Sequence, residues 1–104
     1  MNASHVLQAL SHHRGARNGI SAAALAKAVG ISARLLRRHI TTLREDGIAV
    51  CGHPSSGYYI AATPEELDRA CQFLRARALH SLKLEAQLRR VPLEQLVGQM
   101  KLPT

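Results

Sequence analysis

The feature that most constrains this chain is residues 20–47, ISAAALAKAVGISARLLRRHITTLREDG. Ser21 can cap a first helix, because its hydroxyl can accept a hydrogen bond from a free amide of the first turn, and the alanine-rich run that follows favours a helix. Gly30 tolerates the positive φ that ends such a helix, and Ser32 can cap a second one. The second helix is predicted to run to about Asp46 and stop at Gly47. The segment therefore predicts two helices joined by a tight turn.

The second helix of this helix-turn-helix separates apolar from basic residues. At 100° per residue, Leu36, Ile40 and Leu43 form one stripe, which must be buried. The opposite side is then either a solvated basic surface or one that contacts DNA. Guanidinium groups suit phosphate oxygens and guanine edges, and acids occur only at the end of the helix, so we favour DNA contact. The residues on that side are Arg34, Arg37, Arg38 and Thr41, and Arg44, a fourth arginine of the same helix, is included among the residues expected to bind DNA.

The net charge of +7 is unevenly distributed. Residues 1–44 contain seven basic residues and no acid, whereas residues 45–104 contain seven basic and seven acidic residues and sum to zero. A surface that binds a polyanion explains this segregation better than a solubilising charge does. An anionic membrane is the alternative partner, but no amphipathic helix combines a basic face with bulky aromatic residues. We therefore expect double-stranded DNA as the partner.

A further helix and a loop precede the motif. Asn2 or Ser4 is predicted to open a helix that ends near residue 13. The loop at residues 14–19 is rich in Gly and basic residues, and its Arg14 and Arg17 either contact a DNA backbone or remain solvated. Ile20 is predicted to be a short third strand of a small sheet.

After residue 47 the apolar period changes to two. Residues 48–51 and 58–61 are predicted strands, and residues 52–57 are the turn between them. A hairpin that directly follows the second helix of a helix-turn-helix, the recognition helix, is called a wing. Its tip carries no Lys or Arg, only His53 and the hydroxyls of Ser55 and Ser56, which can donate to phosphate oxygens. We therefore predict a weak contact of the wing with the DNA backbone.

The segments LAKAVGIS, RRHITTLREDGI and GYYI together resemble the winged helix-turn-helix of the biotin operon repressor type. The resemblance covers residues 20–60 and implies a DNA-binding regulator whose second helix enters the major groove. It implies a recognition surface at Ser32, Ala33, Arg34, Arg37, Arg38 and Thr41, with the wing at residues 53–56. The biotin repressors continue into a ligase domain that these residues do not contain, so biotin or another small-molecule effector is not implied.

The last section is predicted to be helical. Thr63 and Glu66 make a capping box, Pro64 suits the first helical position, and no breaker follows until about Arg90. Its first half has an apolar stripe predicted to pack on the winged domain, formed by Leu67, Ala70, Cys71, Leu74 and Ala78. After Ala78 the apolar residues occupy two sides of the helix, and a short amphipathic helix follows Pro92. Either the two helices form an internal hairpin, or they associate with another subunit. We favour self-association because a lone helix would expose too much Leu. The residues expected to associate are Leu79, Leu82, Leu84, Leu88, Leu93, Leu96 and Val97.

Other functions have little support in the sequence. The two cysteines, Cys51 and Cys71, are expected to be reduced and buried, since they have neither metal-site nor disulfide-framework spacing. The six histidines lack metal-ligand spacing, so we expect no metal and no other cofactor. The sequence contains neither a phosphate-binding loop nor a pair of acids suited to catalysis, so we do not expect an enzyme. No apolar run reaches the length of a membrane span and no signal peptide is present, so we expect a cytoplasmic protein, in the bacterial cytosol or nucleoid.

These observations predict a mainly α fold with a small β-hairpin wing, namely a winged helix-turn-helix followed by a long C-terminal helix and a short terminal helix. Residues 1–62 are the expected DNA-binding domain, and residues 63–104 are the expected helical element for homo-oligomerisation. The predicted function is a sequence-specific transcriptional regulator, such as a repressor of phage or mobile-element origin. One alternative is a DNA-binding assembly protein such as a small terminase-like subunit. The other is a winged-helix module for protein–protein contact.

Overall fold

The computed structural model describes residues 3–100 of the 104-residue chain, so the predicted cap at Asn2 lies outside the described residues. Within the chain, contacts form two compact units that divide between Ala70 and Cys71. The elements in chain order are α1 (Ala3–Leu10), a 3-10 turn (Ala16–Asn18), α2 (Ala22–Val29), α3 (Ala33–Glu45), β1 (Val50–His53), β2 (Gly57–Ile60), α4 (Pro64–Arg89) and α5 (Leu93–Gln99).

Helices α2 and α3 have the caps that the sequence predicts. The Ser21 hydroxyl accepts from the backbone N–H of Ala24 at 3.1 Å, and that of Ser32 accepts from Leu35 at 3.1 Å. Gly30 ends α2 in the left-handed conformation, at φ 79°. The next amide, Ile31, donates to the Ala26 carbonyl at 3.0 Å, which closes the helix end. The predicted helix-turn-helix is therefore confirmed.

The core of the first unit lies between α1, α2 and α3. Val6, Leu10, Leu25 and Leu36 are fully buried, and Ile40 is 2 % exposed. The stripe predicted on α3 is thus the buried face of that helix, and α1 completes the core from the other side. Val29 and Ile31, on either side of the turn glycine, are half-buried against the same cluster.

The wing is a two-stranded antiparallel hairpin in which Val50 pairs with Ile60 and His53 with Gly57. The predicted first strand began at residue 48, which is two residues too early. The Ile48 amide donates to the Leu43 carbonyl at 3.0 Å and so belongs to the end of α3. Ile20 does pair with the wing as predicted, with hydrogen bonds of 2.9 and 2.7 Å to Tyr58, but the pairing is an isolated antiparallel bridge and not a third strand. The neighbouring Ser21 already caps α2, which leaves no length for a strand.

Helix α4 begins as predicted, with the Thr63 hydroxyl accepting from the Glu66 amide at 3.1 Å. However, the prediction that the apolar stripe in the first half of α4 packs on the winged domain is wrong, because Leu67 and Leu74 are 43 % and 45 % exposed. Cys71 and Ala78 are exposed as well, so the expectation of two buried cysteines holds only for Cys51. The physical reason is that α1 already fills the three-helix core, which offers no further apolar side.

The second unit is the rest of α4 with α5. Ala86 and Leu96 are 4 % and 5 % exposed, and Leu82 and Leu93 are half-buried. The helices are joined at Arg90, whose φ is 57°, and the next amide, Val91, donates to the Ala86 carbonyl at 3.0 Å. The order of elements is that of a winged helix-turn-helix followed by a long and a short helix, so the predicted fold class is confirmed.

Candidate functional site

The exposed side of α3 carries the predicted arginines. Arg34, Arg37 and Arg38 are exposed, while Leu36 and Ile40 on the opposite side are buried. None of the three guanidinium groups has an ion-pair or hydrogen-bond partner within residues 3–100. Their charge is therefore not neutralised by neighbouring acids. We call Arg34, Arg37, Arg38 and Thr41 the basic face.

The first residues of α3 and its middle turn supply smaller groups beside these arginines. Ser32 and Ala33 are exposed at the helix N-terminus, where the Ala33 side chain presents little bulk. Thr41 is exposed one turn after Arg37, and its hydroxyl donates to the Arg37 carbonyl at 3.1 Å. The Thr41 hydroxyl oxygen thus keeps a free lone pair, and its methyl group is available for apolar contact.

Arg44 is placed differently from the other arginines of α3. It is half-buried, and its Nε donates to the Val50 carbonyl at 2.8 Å. Val50 is the first residue of β1, so this bond joins the last turn of α3 to the base of the wing. Arg44 therefore helps to fix the wing relative to the basic face, a role that the face assignment from sequence did not reveal.

The wing tip is organised by its histidine. The amide of Ser55 donates to His53 Nδ1 at 3.2 Å, and the Ser55 hydroxyl lies 2.8 Å from the same nitrogen. Since Nδ1 accepts from this amide, the ring proton of a neutral His53 lies on Nε2. His53 and Ser55 are exposed, whereas Ser56 is half-buried. The tip thus presents an imidazole and hydroxyl groups and no cationic side chain from Lys or Arg.

The loop before α2 is attached to the second strand of the wing. The Gly15 amide donates to the Ile60 carbonyl, and the Ile60 amide donates to the His13 carbonyl, both at 2.8 Å. Arg14 and Arg17 are exposed on this loop. The structure therefore holds the loop backbone firmly while it leaves both guanidinium groups in solvent.

Glu66, in the first turn of α4, also binds the loop before α2. One carboxylate oxygen accepts from the Ala16 amide and the other from the Ala62 amide, each at 2.8 Å. We call this bidentate contact the Glu66 clamp. The hydrogen bond from the Ala16 amide and, to a smaller extent, that from the Ala62 amide lower the pKa of Glu66 below its ordinary value. The capping-box signal located Glu66, but nothing in the sequence indicated a contact across 50 positions.

Two glycines allow the loop and the wing to approach each other closely. A Cβ atom at Gly19 would overlap the Ser56 carbonyl oxygen, and one at Gly57 would overlap the Ile20 carbonyl oxygen. On the hairpin itself, burial raises the pKa of Tyr59, and the neighbouring Cys51 adds to this rise. The loop and the hairpin are therefore packed as one body with α2 and α3.

Within residues 3–100, no three His, Cys, Asp or Glu side chains are grouped so as to hold a metal ion. In the same range, no helix combines the length and apolar character needed to cross a membrane.

A family model described as an HTH domain matches residues 3–59, which is more than half of the chain. The matched region contains α1, the helix-turn-helix and nearly all of the wing. No curated protein and no solved structure matches the chain. The biotin operon repressor type stays a prediction, because the matching model describes the domain in general.

Proposed function

The chain belongs to the HTH (helix-turn-helix) domain family, and from this premise we propose that it is a sequence-specific regulator that binds double-stranded DNA. Domains of this family typically bind DNA and have no enzymatic activity. The observation that carries the proposal is the basic face, three exposed arginines without acidic partners on the second helix of the motif. An exposed, unneutralised cationic surface on this helix suits a polyanion.

In the proposed complex α3 lies in the major groove. The N-terminal residues Ser32, Ala33 and Arg34 approach the base edges first, as in other helix-turn-helix complexes. Arg37 and Arg38 extend from the next turn to guanine edges or phosphate oxygens, and the Thr41 methyl suits a thymine methyl. The buried stripe on the other side of α3 fixes which face of the helix is turned outward and so keeps these residues on one side.

The wing and the loop supply contacts that position the protein without reading sequence. His53 donates from Nε2 to a phosphate oxygen at the wing tip, and the Ser55 hydroxyl can do the same only when it gives up its bond to His53 Nδ1. Arg14 and Arg17 add an electrostatic contribution from the loop, and Ser56 and Arg44 are less available because they are half-buried. Sequence preference is therefore assigned to α3, and the other contacts strengthen binding to any duplex.

We further propose that the C-terminal helices associate two or more copies, which places two recognition helices on repeated half-sites. Exposed leucines on α4 support this part, since Leu84 and Leu88 are 47 % and 86 % exposed. The same features suit a DNA-binding assembly protein, which would need oligomerisation but little sequence preference.

The decisive test is a selection from random duplex DNA with the whole chain, at near-physiological salt and with non-specific competitor. Enrichment of an inverted or direct repeat is the expected result, and its spacing reports how the copies are arranged. Retention without a motif, falling steeply with salt, contradicts sequence-specific regulation and supports an architectural or assembly role. Absence of retention makes the basic face a protein-docking surface and overturns DNA binding.

A further inference from the structure

The second half of α4 has one side that the chain buries and one that it leaves open. Ala86 is 4 % exposed, whereas Leu84 and Leu88 are 47 % and 86 % exposed. The two leucines lie two residues before and after Ala86, and each is therefore about 160° around the helix from it. Since Leu96 of α5 is 5 % exposed, the interior of this unit lies on the Ala86 side. Leu84 and Leu88 point away from that interior.

The open side follows coiled-coil spacing. Leu74, also 45 % exposed, precedes Leu84 and Leu88 on the same side of α4. Arg77 and Ser81 lie between Leu74 and Leu84 on this side. The five residues are separated by three, four, three and four positions, which is the spacing of a and d positions in a two-helix coiled coil. We call this set the α4 seam, and its members are Leu74, Arg77, Ser81, Leu84 and Leu88.

We infer that the α4 seam pairs with the α4 seam of a second copy in antiparallel orientation. Arg77 decides the orientation. In a parallel pair each seam residue faces its own counterpart, so two Arg77 guanidinium groups would meet inside an apolar interface, where like charges repel strongly. In an antiparallel pair each a position faces a d position, which separates the two arginines.

One antiparallel register pairs four of the five seam residues with each other and sets the fifth, Leu88, against the second copy's Ala70. Positions 74 and 84 are centred on residue 79, and so are positions 77 and 81. A two-fold axis at that level therefore sets Leu74 against the second copy's Leu84, and Arg77 against the second copy's Ser81. The serine hydroxyl accepts from the guanidinium group, so the polar residues match each other just as the leucines do. This self-complementarity identifies the occupant as a second copy.

The pairing gives a geometry to the self-association within the proposed function and rests on that part of it. It also divides the residues that the sequence suggested for oligomerisation. Leu84 and Leu88 belong to the interface between copies. Leu96 belongs to the interior of one chain, where it is 5 % exposed, and Leu82 and Leu93 are half-buried there.

Disulfide crosslinking tests the orientation directly. In a Cys71→Ser background, which removes the exposed thiol and leaves the buried Cys51, Leu74→Cys and Leu84→Cys are made separately and together. Residues ten positions apart on one helix are about 15 Å apart, too far to form a disulfide within a chain. The double variant should therefore form a covalent dimer under mild oxidation at least tenfold faster than either single variant. Ala76→Cys combined with Lys83→Cys, on the opposite side of α4, is the matched control and should stay unlinked.

Two results would overturn the inference, and both are distinct from failure of DNA binding. Rapid linking of Leu74→Cys alone means a parallel pair. A monomeric mass of the unsubstituted chain in light scattering, with no linking in the double variant, means that this seam does not pair. If such a monomer still selects a DNA motif, DNA binding stands without the seam. If the linked dimer retains no DNA, the seam stands and the DNA-binding proposal fails.

Discussion

DNA binding is assigned to side chains on which the fold does not depend. Arg37 and Arg38 are exposed on α3, whereas Leu36 and Ile40 on the same helix are 0 % and 2 % exposed. A substitution at either arginine changes charge and hydrogen-bond donors without opening a cavity, so its effect on stability should stay within about 0.5 kcal/mol. Binding and folding can therefore be separated by single substitutions.

We expect Arg37→Ala and Arg38→Ala each to weaken binding to the selected duplex by about 1–3 kcal/mol, because each removes a guanidinium from the reading side of α3. Competition titration against the unsubstituted chain measures this loss, and thermal unfolding checks that the fold is intact. Arg75 is an exposed arginine of α4, so Arg75→Ala makes the same change in charge and should weaken DNA binding less. Unchanged affinity in both α3 variants would remove the assignment of the basic face.

Arg90 is the one non-glycine residue with positive φ among residues 3–100, at 57°. The left-handed conformation costs an L-residue about 1–2 kcal/mol, while glycine costs about 0.5–1 kcal/mol of additional entropy on folding. Arg90→Gly should therefore raise the free energy of unfolding by up to about 1.5 kcal/mol in denaturant titration. Arg89→Gly, one residue earlier and within α4, should lower it by about 1 kcal/mol. Destabilisation by both variants would contradict the left-handed helix end.

Among the elements, the wing and the loop before α2 depend on a glycine for close approach. Gly19 has φ −60°, which alanine adopts readily, but its Cβ would overlap the Ser56 carbonyl oxygen. Gly19→Ala should therefore displace the wing turn and cost about 1–3 kcal/mol of stability. Gly30→Ala is the matched control. Its Cβ would lie in open space, so it should lose only about 1–2 kcal/mol of stability, the amount that a positive φ costs an alanine. Amide chemical shifts distinguish the two, since only Gly19→Ala should alter residues 53–57. Changes confined to residues 14–19 would contradict the contact.

The Glu66 clamp makes the link between α4 and the loop dependent on pH. The pKa of Glu66 is lowered, chiefly by the Ala16 amide, so ionisation stabilises the folded state above the unfolded-state pKa of about 4.3. That contribution is lost as pH falls through the lower pKa of the folded state. The stability difference between the unsubstituted chain and Glu66→Gln should accordingly be largest at neutral pH and shrink in urea titrations below about pH 4.

Glu65→Gln is the control for the Glu66 clamp. It removes the same charge from the same turn of α4 but no hydrogen bond to Ala16. At neutral pH it should therefore cost less stability than Glu66→Gln. Equal losses in the two variants would mean that charge at the start of α4, and not the clamp, accounts for the effect.

The sequence predicted the elements that are specified by local signals. Ser21 and Ser32 cap helices through bonds that span three residues, so their roles follow from a short window. The basic face likewise follows from helical periodicity. The Glu66 clamp joins residues 50 positions apart, and the Arg44 bond depends on where β1 begins, so neither follows from local pattern. The exposure of Leu67 could not be predicted either, because it depends on α1 filling the core first.

Over the whole molecule, charge and exposed apolar surface are segregated along the chain. All of the net charge of +7 lies in residues 1–44, which contain the basic face, whereas the α4 seam lies in the neutral remainder. The chain forms two compact units that divide after residue 70, so the basic face and the seam belong to different units. A substitution in one unit should therefore leave the chemistry of the other unchanged, which allows DNA contact and self-association to be tested independently.

This independence gives the last prediction, which concerns avidity. Joining two recognition helices makes the second binding event intramolecular, which strengthens binding to a duplex with two half-sites by about 10²–10⁴-fold without any new contact. Leu84→Glu places a charge in the α4 seam and should remove this gain, lowering affinity for the two-site duplex towards that for a single half-site. Affinity for the single half-site should not change, because the basic face is intact.

Fluorescence anisotropy on the two duplexes measures both affinities at one salt concentration. Gln87→Glu adds the same charge to an exposed position of α4 outside the seam and should keep the gain. If Leu84→Glu retained the full preference for two half-sites, contacts other than the seam would have to join the two copies. If both variants lost affinity for the single half-site, added negative charge on α4 would be repelling DNA directly, and DNA contact and self-association would not be independent.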